Sequence, residues 1–305
     1  MKRILITIPH YYKYDPSVFY GSGSEKRDSR IRCLRKMLSS IRENFGLPHA
    51  YSHQARDVHS KRIYIQYEPA DTDNIYDIDV VVCTDGSNHL LDELNLPQGY
   101  FQKRDFRLDN PRYLGFMCYK VMAENQGKYD YYAYMEDDLV IHDLFFFQKL
   151  QWFNSLFPVD CLLQPYRYMR LIPPFAKEYI DSELDICIYD FYDYGGGNDK
   201  LIADYLGNRL EFIRAANPHA GCFFVNAKQF EKMLERVDFL EQTDRFMSPL
   251  ESAASFKIMQ NFKIYHPQYE KASFLEIEHI GKALTPVPDR RYNRRAFAEV
   301  GFEFS

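Results

Sequence analysis

The chain has 305 residues, of which 46% are hydrophobic and 27% charged, and its formal net charge is −5. That length and balance fit a folded protein with a large core and exclude a disordered or collagen-like chain. The negative balance argues against a general nucleic-acid binder, which needs a basic face, and no stretch approaches the roughly 20 apolar residues of a membrane span.

Residues 3–8, Arg-Ile-Leu-Ile-Thr-Ile, form a short apolar run stopped by Pro9, which predicts a buried parallel strand. The basic start and this run are too short for a secretory signal, so a cytoplasmic location is expected. Ser22 and Glu25 have capping-box spacing. Ile31, Leu34, Leu38, Ile41 and Phe45 then recur at helical spacing until Gly46 and Pro48 stop the helix. Arg27, Arg30 and Arg112 read as surface positions on helices, with reach to a phosphate as the alternative. Residues 78–83 predict a second strand that ends at Thr84-Asp85-Gly86. Asn110 and Pro111 open a helix with an apolar face at Leu114, Met117, Cys118, Val121 and Met122, closed by Gly127.

The next stretch, Tyr-Tyr-Ala-Tyr-Met at 131–135, runs directly into Glu136, Asp137 and Asp138. Alternation along a strand sends Glu136 and Asp138 to one side and Asp137 to the other. Two carboxylates together at a buried strand end repel each other unless a cation joins them. Hard divalent cations take such oxygens and share their coordination with substrate phosphates. The triplet therefore predicts a metal–phosphate site; the competing structural role is a solvated turn, with Asp143 capping the following helix.

Downstream, Cys161-Leu162-Leu163 predicts a strand and Pro218 to Val225 another. Asn226 and Gln229 start a helix with Phe230, Met233, Leu234 and Val237 on its buried face. Ser248-Pro249-Leu250-Glu251 opens one more helix, and strands are expected near 262–266 and 274–279. The glycines at 195–197 lack the lysine and hydroxyl of a phosphate-cradling loop and read as a turn. Six scattered cysteines without Cys-x-x-Cys spacing read as small buried hydrophobes. Alternating strands and helices predict an α/β fold with a mostly parallel sheet flanked by helices. Ligands bind such sheets beyond the carboxyl ends of the strands, here Pro9-His10, Thr84-Asp85-Gly86 and the acidic triplet.

The opening strand, the acidic triplet after a buried strand, the His-Ala-Gly-Cys-Phe-Phe segment and the late acid-bearing helix together resemble the nucleotide-sugar-dependent glycosyltransferases of the GT-A fold. The resemblance implies one GT-A-like, Rossmann-type domain over 1–305. Its nucleotide-sugar-binding half spans 1–142; an acceptor-side half, 143–305, holds a smaller subdomain and a basic tail. It implies a divalent cation, Mn²⁺ or Mg²⁺, held by Glu136 and Asp138 with His279 as a later ligand; an imidazole favours Mn²⁺. The family pattern is Asp-x-Asp, so the Glu here makes Asp138 the expected direct ligand and Glu136 a water-mediated or ribose contact. Glu251 is the implied general base, with Asp244 as fallback, although Ser248 and Glu251 also have capping-box spacing. Pro9, His10, Tyr11, Asp85 and Asp137 are the implied donor contacts, and Arg291 in the Arg-rich tail would fold over the diphosphate. The implied reaction moves a sugar from a nucleotide diphosphate to a hydroxyl acceptor, glycan or lipid-linked, with no nucleic acid and no transmembrane segment. The alternatives are a nucleotidyltransferase making a nucleotide sugar and a non-catalytic sugar-binding protein on the same fold. A two-acid glycoside hydrolase fits less well, because adjacent acids do not span a cleft.

Overall fold

The structure, a computed structural model, describes residues 1–15, 17, 26–170, 176–181 and 199–280. The Ser22–Glu25 pair, the glycines at 195–197 and Arg291 with the basic tail lie outside the described residues.

The first half contains strands β1 (Arg3–Pro9), β2 (His49–Arg56), β3 (Ile63–Ala70), β4 (Asp77–Thr84), β5 (Gln102–Asp105), β6 (Tyr131–Met135) and β7 (Leu139–Val140). Then come β8 (Cys161–Leu163), β9 (Tyr166–Met169), β10 (Glu178–Tyr179), β11 (Leu201–Tyr205), β12 (Asn208–Arg214), β13 (Cys222–Asn226), β14 (Lys263–Pro267) and β15 (Glu276–His279). The central sheet has the order β13-β6-β1-β4-β5. Its strands β6, β1, β4 and β5 are parallel, and β13 joins antiparallel on the edge of β6. The mostly parallel α/β sheet read from the sequence is thus present. Two four-stranded sheets, β10-β9-β15-β7 and β11-β12-β14-β8, accompany it, and β2 and β3 pair only with each other among the described residues.

Alternation along β1 explains why both faces of this sheet are covered. Ile4, Ile6 and Ile8 enter a core shared with α1 (Arg27–Ile41) and α3 (Phe146–Leu156). Leu5 enters the opposite core, formed with α2 (Leu114–Glu124) and the helix Ala227–Leu234. Each fully buried Ile, Leu or Phe contributes roughly 1.5–3 kcal/mol by leaving water. Aromatic pairs fill the second core: Tyr132 stacks on Phe230 at 4.0 Å, and Tyr134 on Phe223 at 5.7 Å.

Local signals set several boundaries. The Asn226 side chain accepts from the Gln229 amide while the Gln229 side chain accepts from the Asn226 amide, a complete capping box. Asn110 caps a short 3₁₀ turn, Pro111–Tyr113, that leads into α2. α1 begins at Arg27 with Lys26 at its N-cap, beyond the Ser22–Glu25 pair, and ends in a π-helical turn, Arg42–Gly46.

His266 on β14 is 2% exposed and stacks on Tyr166 at 4.3 Å. Burial pushes its pKa down from 6.5 to about 4. Between those values the unfolded chain takes up a proton that the folded chain refuses, so stability is full above 6.5 and falls as pH drops towards 4. This one group should cost roughly 3 kcal/mol over that window. Denaturant unfolding at a series of pH values should show that His266→Phe flattens the acid limb; an unchanged limb would assign the loss to other groups.

Candidate active site

The carboxyl ends of β1, β4 and β6 lie together, and the acidic triplet sits immediately beyond β6. The strand stops at Met135, and Asp137 and Asp138 form a turn before β7, so the simple strand alternation read from the sequence does not extend through the triplet. The Glu136 amide donates to the Gly221 carbonyl at 2.9 Å, the last rung joining this turn to the β13 side.

Asp137 is buried, and its carboxylate is held from two sides. His10 Nε2 accepts from the Leu90 amide at 3.0 Å, so Nδ1 carries the proton and donates to Asp137 Oδ2 at 2.5 Å. Arg30 pairs with Asp137 Oδ1 through one nitrogen, and its Nη1 donates to Asp138 Oδ2 at 3.2 Å. Burial pushes the Asp137 pKa up, but the Arg30 guanidinium and His10 outweigh it and hold the carboxyl well below the usual range. Arg30 is 1% exposed, so its reading as a surface position is corrected. The reason is the spacing of α1: Arg30 lies four, seven, eight and eleven residues before Leu34, Met37, Leu38 and Ile41, on the buried stripe. His10 is fully buried with both ring nitrogens engaged by the protein.

Asp138 and His279 come together from distant parts of the chain. β15 pairs antiparallel with β7, opposing His279 to Leu139, and the Ile280 amide donates to the Asp138 carbonyl at 2.9 Å. His279 Nε2 stands 3.8 Å from Asp138 Oδ2. Asp138 Oδ1 and His279 Nδ1 are both buried without a hydrogen-bond partner. An orphaned buried polar atom is costly, and neighbouring side chains that each keep one, a carboxylate and an imidazole, suit the donor set of a divalent cation. Among the described residues no group of three or more His, Cys, Asp or Glu side chains forms a ready cage. Two protein ligands nevertheless fit a cation that draws its remaining oxygens from substrate phosphates and water.

Glu136 is partly exposed beside this pair. Burial first, then the Asp138 carboxylate, raise its pKa to about 8, opposed by Arg167. The space for its side chain depends on Gly221, whose φ is +61°. A Cβ there would come within 2.5 Å of Glu136 Oε2, so this glycine is needed for conformation and for room. Arg167 is held by Asp181, whose Oδ1 accepts from Nε at 2.8 Å, and it donates to the His219 carbonyl at 3.1 Å. Burial, then Arg167 and His279, push the His219 pKa well down, so its imidazole is neutral. Its Nδ1 lies 2.9 Å from Ser255 Oγ. Ser255 belongs to a π-helical turn, Ser252–Phe256, between the helical pieces Pro249–Glu251 and Lys257–Met259; such turns are frequent at functional sites.

Glu251 lies in the first turn of that helical stretch and acts electrostatically on Glu136, raising its pKa. Its carboxylate accepts from the Ser248 hydroxyl, and the same Ser248 oxygen accepts from the Leu250 amide at 3.3 Å, so the cap and the acid share one side chain. Asp244 is exposed on the preceding loop. Pro9 and Tyr11 flank His10 and are partly exposed. Asp85 is turned onto its own loop: Oδ1 accepts from the Ser87 and Asn88 amides at 2.9 and 2.7 Å, and Oδ2 from Asn88 Nδ2 at 2.7 Å. Arg167 has no site role in the sequence reading, Arg30 has only a phosphate contact as the alternative to a surface position, and His219 has only its place in the His-Ala-Gly-Cys-Phe-Phe segment. The signal for the burial of Arg30 is its place on the apolar stripe.

Arg30→Met would leave Asp137 buried beside a single neutral partner, which should cost about 3–5 kcal/mol. The denaturant midpoint should fall accordingly at unchanged slope; a loss below about 1 kcal/mol would show that the guanidinium does not hold Asp137 in place.

No family model matches the sequence, and no curated protein matches it. Among solved structures the chain is similar to GalNAc-T7 with UDP, GalNAc and Mn²⁺, at TM-score 0.42 and 12% identity, over 91% of this chain and 44% of that one. The chain thus spans less than half the length of that protein, and at this TM-score the likeness adds nothing to the geometry of the site.

Proposed function

We propose that this chain is a metal-dependent, GT-A-like glycosyltransferase that moves a sugar from a nucleotide diphosphate to a hydroxyl acceptor. The observation that carries the reading is the meeting of Asp138 and His279, each with an orphaned buried polar atom, beyond the carboxyl ends of a parallel sheet. Asp138 and His279 would hold Mn²⁺ or Mg²⁺. The cation would supply Lewis acidity and charge neutralisation to the departing diphosphate. Glu136, beside them, would make a water-mediated or ribose contact.

The remaining roles belong to the chain's own side chains. Glu251, oriented by Ser248, would take the proton of the acceptor hydroxyl as that oxygen attacks the sugar carbon and the bond to the diphosphate breaks. His219, neutral and fixed by Ser255, would offer the sugar a hydrogen-bonding edge. Arg30 and His10 would position Asp137, and with it the turn that carries Asp138. Pro9 and Tyr11 remain the proposed border of the nucleotide, with Asp85 beside it, and Arg291 the proposed cover of the diphosphate. The acceptor, glycan or lipid-linked, would approach from the Glu251 side.

Thermal unfolding with UDP, GDP, CDP and ADP, each with and without Mn²⁺, tests this reading. Ligand at 100-fold excess over Kd stabilises by about 2.7 kcal/mol. One diphosphate should raise the midpoint only with Mn²⁺, and Asp138→Asn and His279→Ala should each abolish the rise. A rise indifferent to Mn²⁺ and to both substitutions, or none at all, would remove the metal–diphosphate reading.

A further inference from the structure

The hairpin of β2 and β3 leaves the body at the end of the sheet opposite the candidate site, before the first residue of β4. Its root is tied down where His49 Nε2 meets the Glu43 carbonyl at 2.7 Å. Beyond that root, most of its residues are exposed on both faces. Ile63, Ile65 and Tyr67 share one face and are 67%, 49% and 69% exposed. An isolated two-stranded hairpin is marginally stable in water, and a long apolar strand with a free edge is a template for another strand. β3 has such an edge: among the described residues its partner is β2 alone.

The sequence of β3 is chemically symmetric about Ile65. In an antiparallel pairing of this strand with itself across a two-fold axis at Ile65, Arg62 faces Glu68, Ile63 faces Tyr67 and Tyr64 faces Gln66. Apart from the two neutral Tyr64–Gln66 pairs, the opposed pairs are favourable: two opposite-charge pairs at the ends, two apolar Ile63–Tyr67 pairs inside them, and Ile65 on itself at the centre. A register shifted by two residues breaks this match, setting Arg62 against Gln66 or against Ala70. Two-fold dimers are the commonest protein assemblies, and their interfaces must be self-complementary in this way.

We propose that β3 is a dimerisation strand that pairs edge to edge with β3 of a second copy of this chain. The two hairpins then form one antiparallel four-stranded sheet, with the candidate sites facing away from it. The charge pattern favours a second copy over a lipid surface: the two-fold pairing sets each Arg62 against a Glu68, whereas an anionic surface would repel Glu68.

Sedimentation velocity on the full chain over a micromolar concentration series tests this, with Arg62→Glu, Glu68→Arg and an equal mixture of the two. The wild-type chain should sediment at twice the chain mass. Each variant alone should fall to the single-chain mass with its unfolding midpoint unchanged, and the mixture should recover the doubled mass because both charge pairs are restored. A wild-type monomer, a dimer untouched by either variant, or a mixture that stays monomeric would overturn the proposal. A wild-type monomer that instead co-sediments with phosphatidylglycerol vesicles would assign the hairpin to an anionic lipid surface.

Discussion

A guanidinium inside a protein must be matched by negative charge, and Arg30 is matched by both aspartates of the acidic turn. That contact joins α1 to the loop beyond β6. His10, at the end of β1, completes it by donating to the same Asp137 carboxylate while receiving the Leu90 amide. Three segments that meet at one end of the sheet are thereby fixed to each other by charge and not only by packing. The cost of burying these groups is offset because every charge has a counter-charge in reach, and loss of any one leaves the others exposed to that cost.

The consequence for the site is a division of labour among adjacent acids. Asp137 is spent on the framework and stays ionised, whereas Asp138 keeps one oxygen without a partner, and the neighbouring His279 keeps one ring nitrogen in the same state. Glu136 is held in a third condition, with its proton retained to about 8 by burial and by Asp138. Three consecutive carboxyls thus sit in three different environments, the arrangement by which one strand end can provide structure, ligation and substrate contact. The proposed glycosyl transfer rests on that difference and on the π-turned helix that brings Glu251 and Ser255 to the same place.

Much of the framework was legible in residue order. The apolar runs at 3–8, 78–83 and 131–135 became β1, β4 and β6, and the Asn226–Gln229 capping box formed with both of its bonds. Short buried strands and caps are local, so local pattern suffices for them. The pairing of Asp138 with His279 is not local; it follows from β15 adding to β7, which no spacing encodes. Arg30 was misplaced because charged residues are mostly exposed, and only its position on the apolar stripe of α1 argued otherwise. The β2–β3 hairpin was passed over even though Ile63, Ile65 and Tyr67 alternate, because its strands carry polar residues and pack on no core.

Anomalous diffraction at the manganese edge, from crystals grown with Mn²⁺ and a nucleoside diphosphate, tests the central claim most directly. The account predicts one strong peak within coordination distance of Asp138 and His279, with Asp137 still paired to Arg30 and His10. A diphosphate seated against Arg30 with no cation, or Mn²⁺ bound away from both Asp138 and His279, would contradict it.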